Sequence, residues 1–315
     1  MIYDEFCKNV KIIVKMLNGA GVTVSMHTVE KKNGVIRTGI VLRTENQEVA
    51  PTIYLEQYYE EYKKGRGLVE IAKEIVATFE SSQITLDMQV GDILMLEKAK
   101  DRICFRLMNY KANEDILKGI PHIPYLDLAI YFVLEMAREK DEIATVTVTN
   151  EMMKKWGITT DALYSLSIQN TKSLYPVTIK SMGSIFLEMA EAAFEGELGD
   201  MQRFDEQELQ DVGHGMLVIS NESAINGASA MLFNNIFEDL AEKEQADLYI
   251  LPSSIHELIV VAKKEEMDAE ALRNMVVEVN ETQVAREERL SNNVYLFERE
   301  TNQLTALFEE EYSYV

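Results

Sequence analysis

The stretch from Met216 to Ala262 constrains the fold most, because it alternates short aliphatic runs with one amphipathic segment. Met216–Ser220 and Leu248–Leu251 are short apolar runs, typical of buried strands. Between them apolar residues recur every four positions, which predicts one helix, capped by Ser223 and packed on a sheet. Its predicted core-facing residues are Ala228, Leu232, Ile236 and Leu240, with Phe233, Phe237 and Ala241 beside them.

Pro252 follows the second strand and cannot donate a ladder hydrogen bond, so Ser253 and Ser254 favour a turn there. Ile255–Val261 predicts another strand that runs back as a hairpin. On an extended strand, His256 shares a face with Ser254, whereas Glu257 projects from the other face.

This turn holds the residue types of a serine hydrolase, with Ser254 as nucleophile and His256 as base. The hydrolase needs an orienting carboxylate within roughly 2.6–3.2 Å of the imidazole, and we expect none there. No Gly-x-Ser-x-Gly elbow occurs, and Val260 stands where a zinc protease needs its second histidine. The alternative is a structural turn. Further candidates for binding are Ser253, Glu257, Tyr54 and Tyr58.

The net charge of −22 is unevenly distributed. Residues 1–50 carry seven Lys/Arg and five Asp/Glu, so the remaining residues carry 24 and 48. Such a field repels nucleic acid phosphates and anionic membranes, which excludes direct binding to either, and it favours a basic protein partner. No apolar run reaches the roughly 18–20 residues of a membrane span.

The remaining composition indicates a cytoplasmic protein without a cofactor. The N-terminus has acids before its apolar residues and does not match a signal peptide. Cys7 and Cys104 lack metal-ligand spacing, and two reduced core thiols are the expected state. Nucleotide-binding glycine motifs are absent, so neither a metal nor a cofactor is predicted.

Periodicity along the chain predicts an α+β fold with mixed, largely antiparallel sheets flanked by helices. A helix over residues 3–17, a hairpin around Asn33-Gly34 and a helix over Leu68–Phe79 predict an N-terminal α-β-β-α unit, residues 1–85. A middle α+β region follows at 86–194, with a long strand over Tyr125–Met136. An acidic connection at 195–213 then leads to a β-α-β-β-α-β-β region at 214–315. Thr149, Thr159 and Asp268 are predicted helix caps.

Several runs resemble an uncharacterised bacterial family of unknown function that is found in gut bacteria. They are APTIYLEQYYEEYKKG (50–65), TNEMMKKWGI (149–158), YPVTIKSM (175–182), NGASAMLF (226–233), YILPSSIHELIVV (249–261) and LSNNVYLFERE (290–300). The resemblance covers nearly the whole chain, and YILPSSIHE is its most specific part. It implies a cytoplasmic protein with no assigned catalytic residue.

The leading hypothesis is therefore a non-catalytic cytoplasmic module whose acidic surface binds a protein partner. A hydrolase using Ser254 and His256 is the alternative from a different class. A third hypothesis, based on charge alone, is an anti-defence protein or nucleic-acid mimic. The sequence does not set the oligomeric state.

Overall fold

The computed structural model describes residues 1–19, 21–45, 50–81, 88–138, 143–194, 215–252 and 254–308. It confirms the α+β fold, and the strand pairs described are all antiparallel. The chain forms two compact units, one from Met1–Ile93 with Met136–Ala144 and one from Leu94–Glu135 with Thr145–Val315. The predicted acidic connection at 195–213 lies outside the described residues, and the predicted domain boundaries stay predictions.

The first unit packs its helices on one face of a three-stranded sheet, as the N-terminal prediction expects. Its elements are α1 (Tyr3–Asn18), β1 (Val22–Glu30), β2 (Ile36–Thr44), β3 (Thr52–Tyr54), α2 (Glu56–Lys63) and α3 (Leu68–Ser81), with strand order β1-β2-β3. Alternate strand residues such as Val24 and Ile40 face Phe6 and Ile75 in a buried core. The short strand β3 was not predicted.

The second unit begins with a four-stranded sheet in which β6 pairs with three neighbours. The sheet and its neighbouring helices comprise α4 (Leu96–Ala99), β4 (Ile103–Asn109), α5 (Glu114–Leu117), β5 (His122–Tyr125), β6 (Leu128–Arg138) and β7 (Ile143–Thr147). The end of β6 and the start of β7 belong to the Met136–Ala144 segment of the first unit. Strand β6 is buried from Leu128 to Ala137, which explains its continuous apolar run. The prediction of one strand from Tyr125 was wrong at its start, because Leu126 takes a positive φ of 55° and breaks the strand.

Two capped helices and a six-stranded sheet follow. They comprise α6 (Asn150–Trp156), α7 (Thr160–Leu174), β8 (Val177–Ser181), α8 (Met182–Phe194), β9 (Met216–Asn221), α9 (Asn234–Glu244), β10 (Leu248–Leu251), β11 (Leu258–Ala262), α10 (Ala269–Thr282), β12 (Tyr295–Glu298) and β13 (Gln303–Ala306). The sheet order is β13-β12-β10-β11-β9-β8. Because β11 is antiparallel to both β9 and β10, those two run parallel with β11 between them.

Helices α9 and α10 cover opposite faces of this sheet. The Phe237 ring of α9 lies 5.8 Å from that of Phe297, whereas α10 packs Leu272 and Val276 against Tyr249. Phe297 is paired with Leu248, the neighbour of Tyr249, and successive strand residues face opposite sides. The unit therefore has helices on both sides of its sheet.

The predicted helix capped by Ser223 was wrong in its start and in two of its seven predicted core residues. The chain first forms a 3-10 helix over Gly227–Leu232, and α9 begins only at Asn234. The buried residues of α9 are Phe237, Leu240 and Ala241, whereas Ile236 and Leu232 are only partly buried. The physical reason is the left-handed backbone at Asn226, which an α-helix does not tolerate.

Candidate functional site

Three connections of the second unit meet around the turn that follows β10. The N–H of Ile255 donates to the carbonyl of Glu288 at 2.9 Å, and the N–H of Ala228 donates to the carbonyl of Ile255 at 3.2 Å. Ser254 forms an isolated antiparallel bridge with Arg289. The turn is thereby tied to the loop after β9 and to the segment before β12.

The hydroxyl of Ser254 is fully used within the turn. It accepts the N–H of His256 at 3.0 Å and donates to Oε1 of Glu257 at 2.7 Å, and the residue is 5% exposed. The expectation that Glu257 projects away from Ser254 was wrong, because the strand starts at Leu258 and the preceding residues bend. This geometry stabilises a turn, and the Ser254 proton points to a carboxylate rather than to an imidazole.

His256 lies between two other segments. Its Nδ1 is 3.2 Å from the carbonyl oxygen of Ala224 and 3.4 Å from the backbone nitrogen of Asn226. Its Nε2 is 3.5 Å from Oε1 of Glu288, with both side chains partly exposed. A carboxylate therefore lies near the imidazole, but outside the roughly 2.6–3.2 Å that an orienting acid requires.

The loop after β9 is held by the side chain of Asn221. Its Oδ1 accepts the N–H groups of Ser223 and Ile225 and the Ser223 hydroxyl, and its Nδ2 donates to the Ile225 carbonyl. Within the loop, Ala224 and Asn226 have positive φ angles of 52° and 54°. Such a conformation is uncommon for alanine, so these hydrogen bonds offset a local backbone cost.

Gly227 lets this loop approach the turn. A Cβ at this position would lie 2.3 Å from Oγ of Ser220 and 2.4 Å from the carbonyl oxygen of His256. The same Ser220 hydroxyl donates to that carbonyl at 2.7 Å. Only glycine fits between these groups.

A small cavity with a mostly apolar lining lies beside the loop. It has about 10 Å³ of room for the centre of a water-sized sphere, roughly what one water needs. Within the described chain, Oδ1 of Asn226 and Oγ of Ser229 are buried without a hydrogen-bond partner, and both residues line the cavity. Tyr175 also lines the cavity. Burial holds the pKa of Tyr175 well above its usual range, and its hydrogen bond to the buried Glu135 adds to the rise.

The remaining candidate binding residues are Ser253, Tyr54 and Tyr58. Ser253 is outside the described residues. Tyr54 and Tyr58 belong to the first unit, where Lys31 Nζ sits 4.3 Å from the ring centre of Tyr54. Tyr58 packs against the core of that unit, and burial raises its pKa.

Sequence reasoning missed Glu288, Ala224 and Gly227. The Asn226-Gly227 dipeptide carried a turn signal, but the helical spacing around it was given more weight. Across the described ranges, no cluster of three His, Cys, Asp or Glu residues is arranged to hold a metal, and no helix has the length and apolarity to span a bilayer.

Comparison with known proteins gives a family match. Residues 3–299 match the model of a family of unknown function, DUF5688. No curated protein and no solved structure matches the chain.

Proposed function

The chain belongs to DUF5688, a family of unknown function, and on that premise we propose that it is a non-catalytic, cytoplasmic protein-binding module with a basic partner. The observation that carries the proposal is the commitment of the Ser254 hydroxyl to Glu257 and to the backbone of His256. A buried hydroxyl that already donates one hydrogen bond and accepts another stabilises the turn. The polar residues Ser254, His256 and Glu257 then have a structural role in the turn. The negative charge of the chain is the strongest remaining indication of function.

The excess of negative charge is concentrated in the second unit. The first unit contains 13 Lys/Arg and 16 Asp/Glu, whereas the second contains 18 and 37. A surface of one sign attracts partners of the opposite sign and raises their association rate. This division supports a basic partner that meets the second unit.

We place the contact on the outward side of α9. Glu238, Asp239, Glu242 and Glu244 are exposed there within seven residues, with Lys243 among them. The inward side is occupied by Phe237 and Leu240, which hold the helix on the sheet. A rigid helix that displays closely spaced carboxylates suits a Lys/Arg-rich segment.

The test compares two charge reversals on opposite faces of the sheet. The partner is captured from extracts of the source cells, identified by mass spectrometry, and its affinity is measured at about 0.05 M and 0.3 M salt. Glu238→Lys with Asp239→Lys should weaken binding about tenfold or more. The matched control, Glu270→Lys with Glu278→Lys on α10, makes the same charge change and should weaken it less.

Two results would contradict the proposal. One is an affinity that neither salt nor the α9 reversal alters. The other is turnover of a substrate that disappears in Ser254→Ala while the fold persists, which would support the hydrolase using Ser254 and His256. If the captured partner is itself a nucleic-acid-binding protein, displacement of that protein from its nucleic acid would support the mimic hypothesis.

A further inference from the structure

We propose that the outward face of the N-terminal sheet is a docking surface for an acidic segment of another protein. This outward face consists of the strand residues of β1, β2 and β3 that point away from α1 and α3. All of its residues belong to the first unit. None of them belongs to the acidic surface of α9 that is proposed to bind a basic partner. Its charge is opposite to that of the chain as a whole.

Strand register assigns the residues to this face. Val24, Leu42, Ile40 and Ile53 are buried against the helices, so their strand neighbours point outward. The outward rows are Thr23 with Arg43, Ser25 with Val41 and Thr52, His27 with Gly39 and Tyr54, and Val29 with Arg37.

None of these outward strand positions is acidic. They include two arginines and a histidine, and Lys31 adds its amino group over the Tyr54 ring at 4.3 Å. The one acid of β1, Glu30, pairs with Ile36 and falls on the inward register. In a chain of net charge −22, a three-stranded face whose strand positions carry two arginines and no carboxylate is a local inversion of the field.

The face is also accessible to solvent. Thr23, His27 and Arg43 are exposed, and Gly39 is buried. The other residues of the outward rows are partly exposed. Gly39 sits in the central strand, where a Cβ would lie 2.3 Å from Cγ2 of Thr52. The absence of a side chain there lets Thr52 close over the middle strand between His27 and Tyr54.

The chemistry of the face favours a short acidic peptide segment over a nucleic acid. Single-stranded nucleic acids bind to several aromatic side chains in series, whereas this face has one, Tyr54. A long polyanion also meets the repulsion of the whole chain, and that repulsion grows with its length. Hydroxyl groups of Thr23, Ser25 and Thr52 and the valines between them suit a peptide with mixed side chains.

The test uses the full chain and a fluorescein-labelled decaglutamate peptide as the probe. Anisotropy at about 0.05 M salt should show binding that weakens as salt is raised. Arg43→Glu should weaken it about three- to tenfold, because one attraction becomes a repulsion. Lys15→Glu on α1, an exposed residue on the helical side, makes the same charge change and should leave the affinity near that of the wild type.

Three results would contradict the proposal. Equal effects of Arg43→Glu and Lys15→Glu would mean that only net charge matters, and no binding at low salt would remove the surface altogether. Tighter binding of a ten-nucleotide thymidine strand than of the peptide would assign the face to nucleic acid. Circular dichroism of both variants checks that the exposed substitutions leave the fold unchanged.

Discussion

Gly227→Ala tests whether the loop after β9 and the turn after β10 form one packed unit. The new methyl would overlap the Ser220 hydroxyl at 2.3 Å, the His256 carbonyl at 2.4 Å and the Cα of Ser220 at 2.7 Å. Two of these three atoms are backbone, so a rotamer change cannot relieve the overlap. Overpacking costs about 1–3 kcal/mol, and separating the Ser220–His256 hydrogen bond adds about 1–3 kcal/mol, which together give roughly 2–6 kcal/mol.

The assay is urea unfolding followed by tryptophan fluorescence. The chain has a single tryptophan, Trp156, which is buried in the second unit and therefore reports on the unit that contains Gly227. Gly119→Ala is the control in the same unit, because its Cβ would have only one neighbour, at 3.6 Å. It should change the free energy of unfolding by less than about 1 kcal/mol. Equal midpoints for the two variants would refute the packing argument.

Three further results are expected. Phe237→Ala should cost about 3–5 kcal/mol in the same unfolding assay, because its ring is fully buried beside Phe297, whereas the exposed Asn235→Ala should cost less than about 0.5 kcal/mol. Ser254→Ala should cost about 1.5–3 kcal/mol, because the N–H of His256 and the carboxylate of Glu257 both lose a partner, and it should leave partner affinity unchanged. Burial raises the pKa of Tyr125 to about 12, so its phenolate absorbance should appear near pH 12. The stability contributed by the neutral phenol is present below about pH 10 and should be lost as pH rises from 10 towards 12.

Local signals predicted the parts of the fold that depend on neighbouring residues. Thr149, Thr159 and Asp268 each accept a backbone N–H two or three residues ahead, as their cap chemistry predicts. The apolar runs at β9 and β10 also matched. Strand β10 is buried on both faces, which leaves a continuous aliphatic pattern, whereas most residues of β9 are only partly buried. These contacts span a few residues, so a single sequence contains them.

The candidate site depended on contacts that no local pattern contains. Glu288 reaches His256 from 32 positions along the chain, and only the tertiary fold brings them together. Glu257 was misplaced for a different reason. The strand pattern was extended back to Ile255, whereas the hydrogen bond between Ser254 and Glu257 closes a turn over those residues. The rule that successive side chains point to opposite faces of a sheet holds only where the backbone is extended.

The position of β11 has a consequence for how the chain folds as it is made. Strands β9 and β10 leave the ribosome before β11. In the folded sheet they lie about two strand spacings apart, roughly 9.5 Å, with β11 between them, so they cannot pair with each other in their native positions. Until Leu258–Ala262 emerges, both strands present open edges that pair readily with other chains. The β8–β9 part of the sheet therefore joins β10 only when β11 is available, and a nascent chain arrested before Leu258 keeps these edges open to other chains.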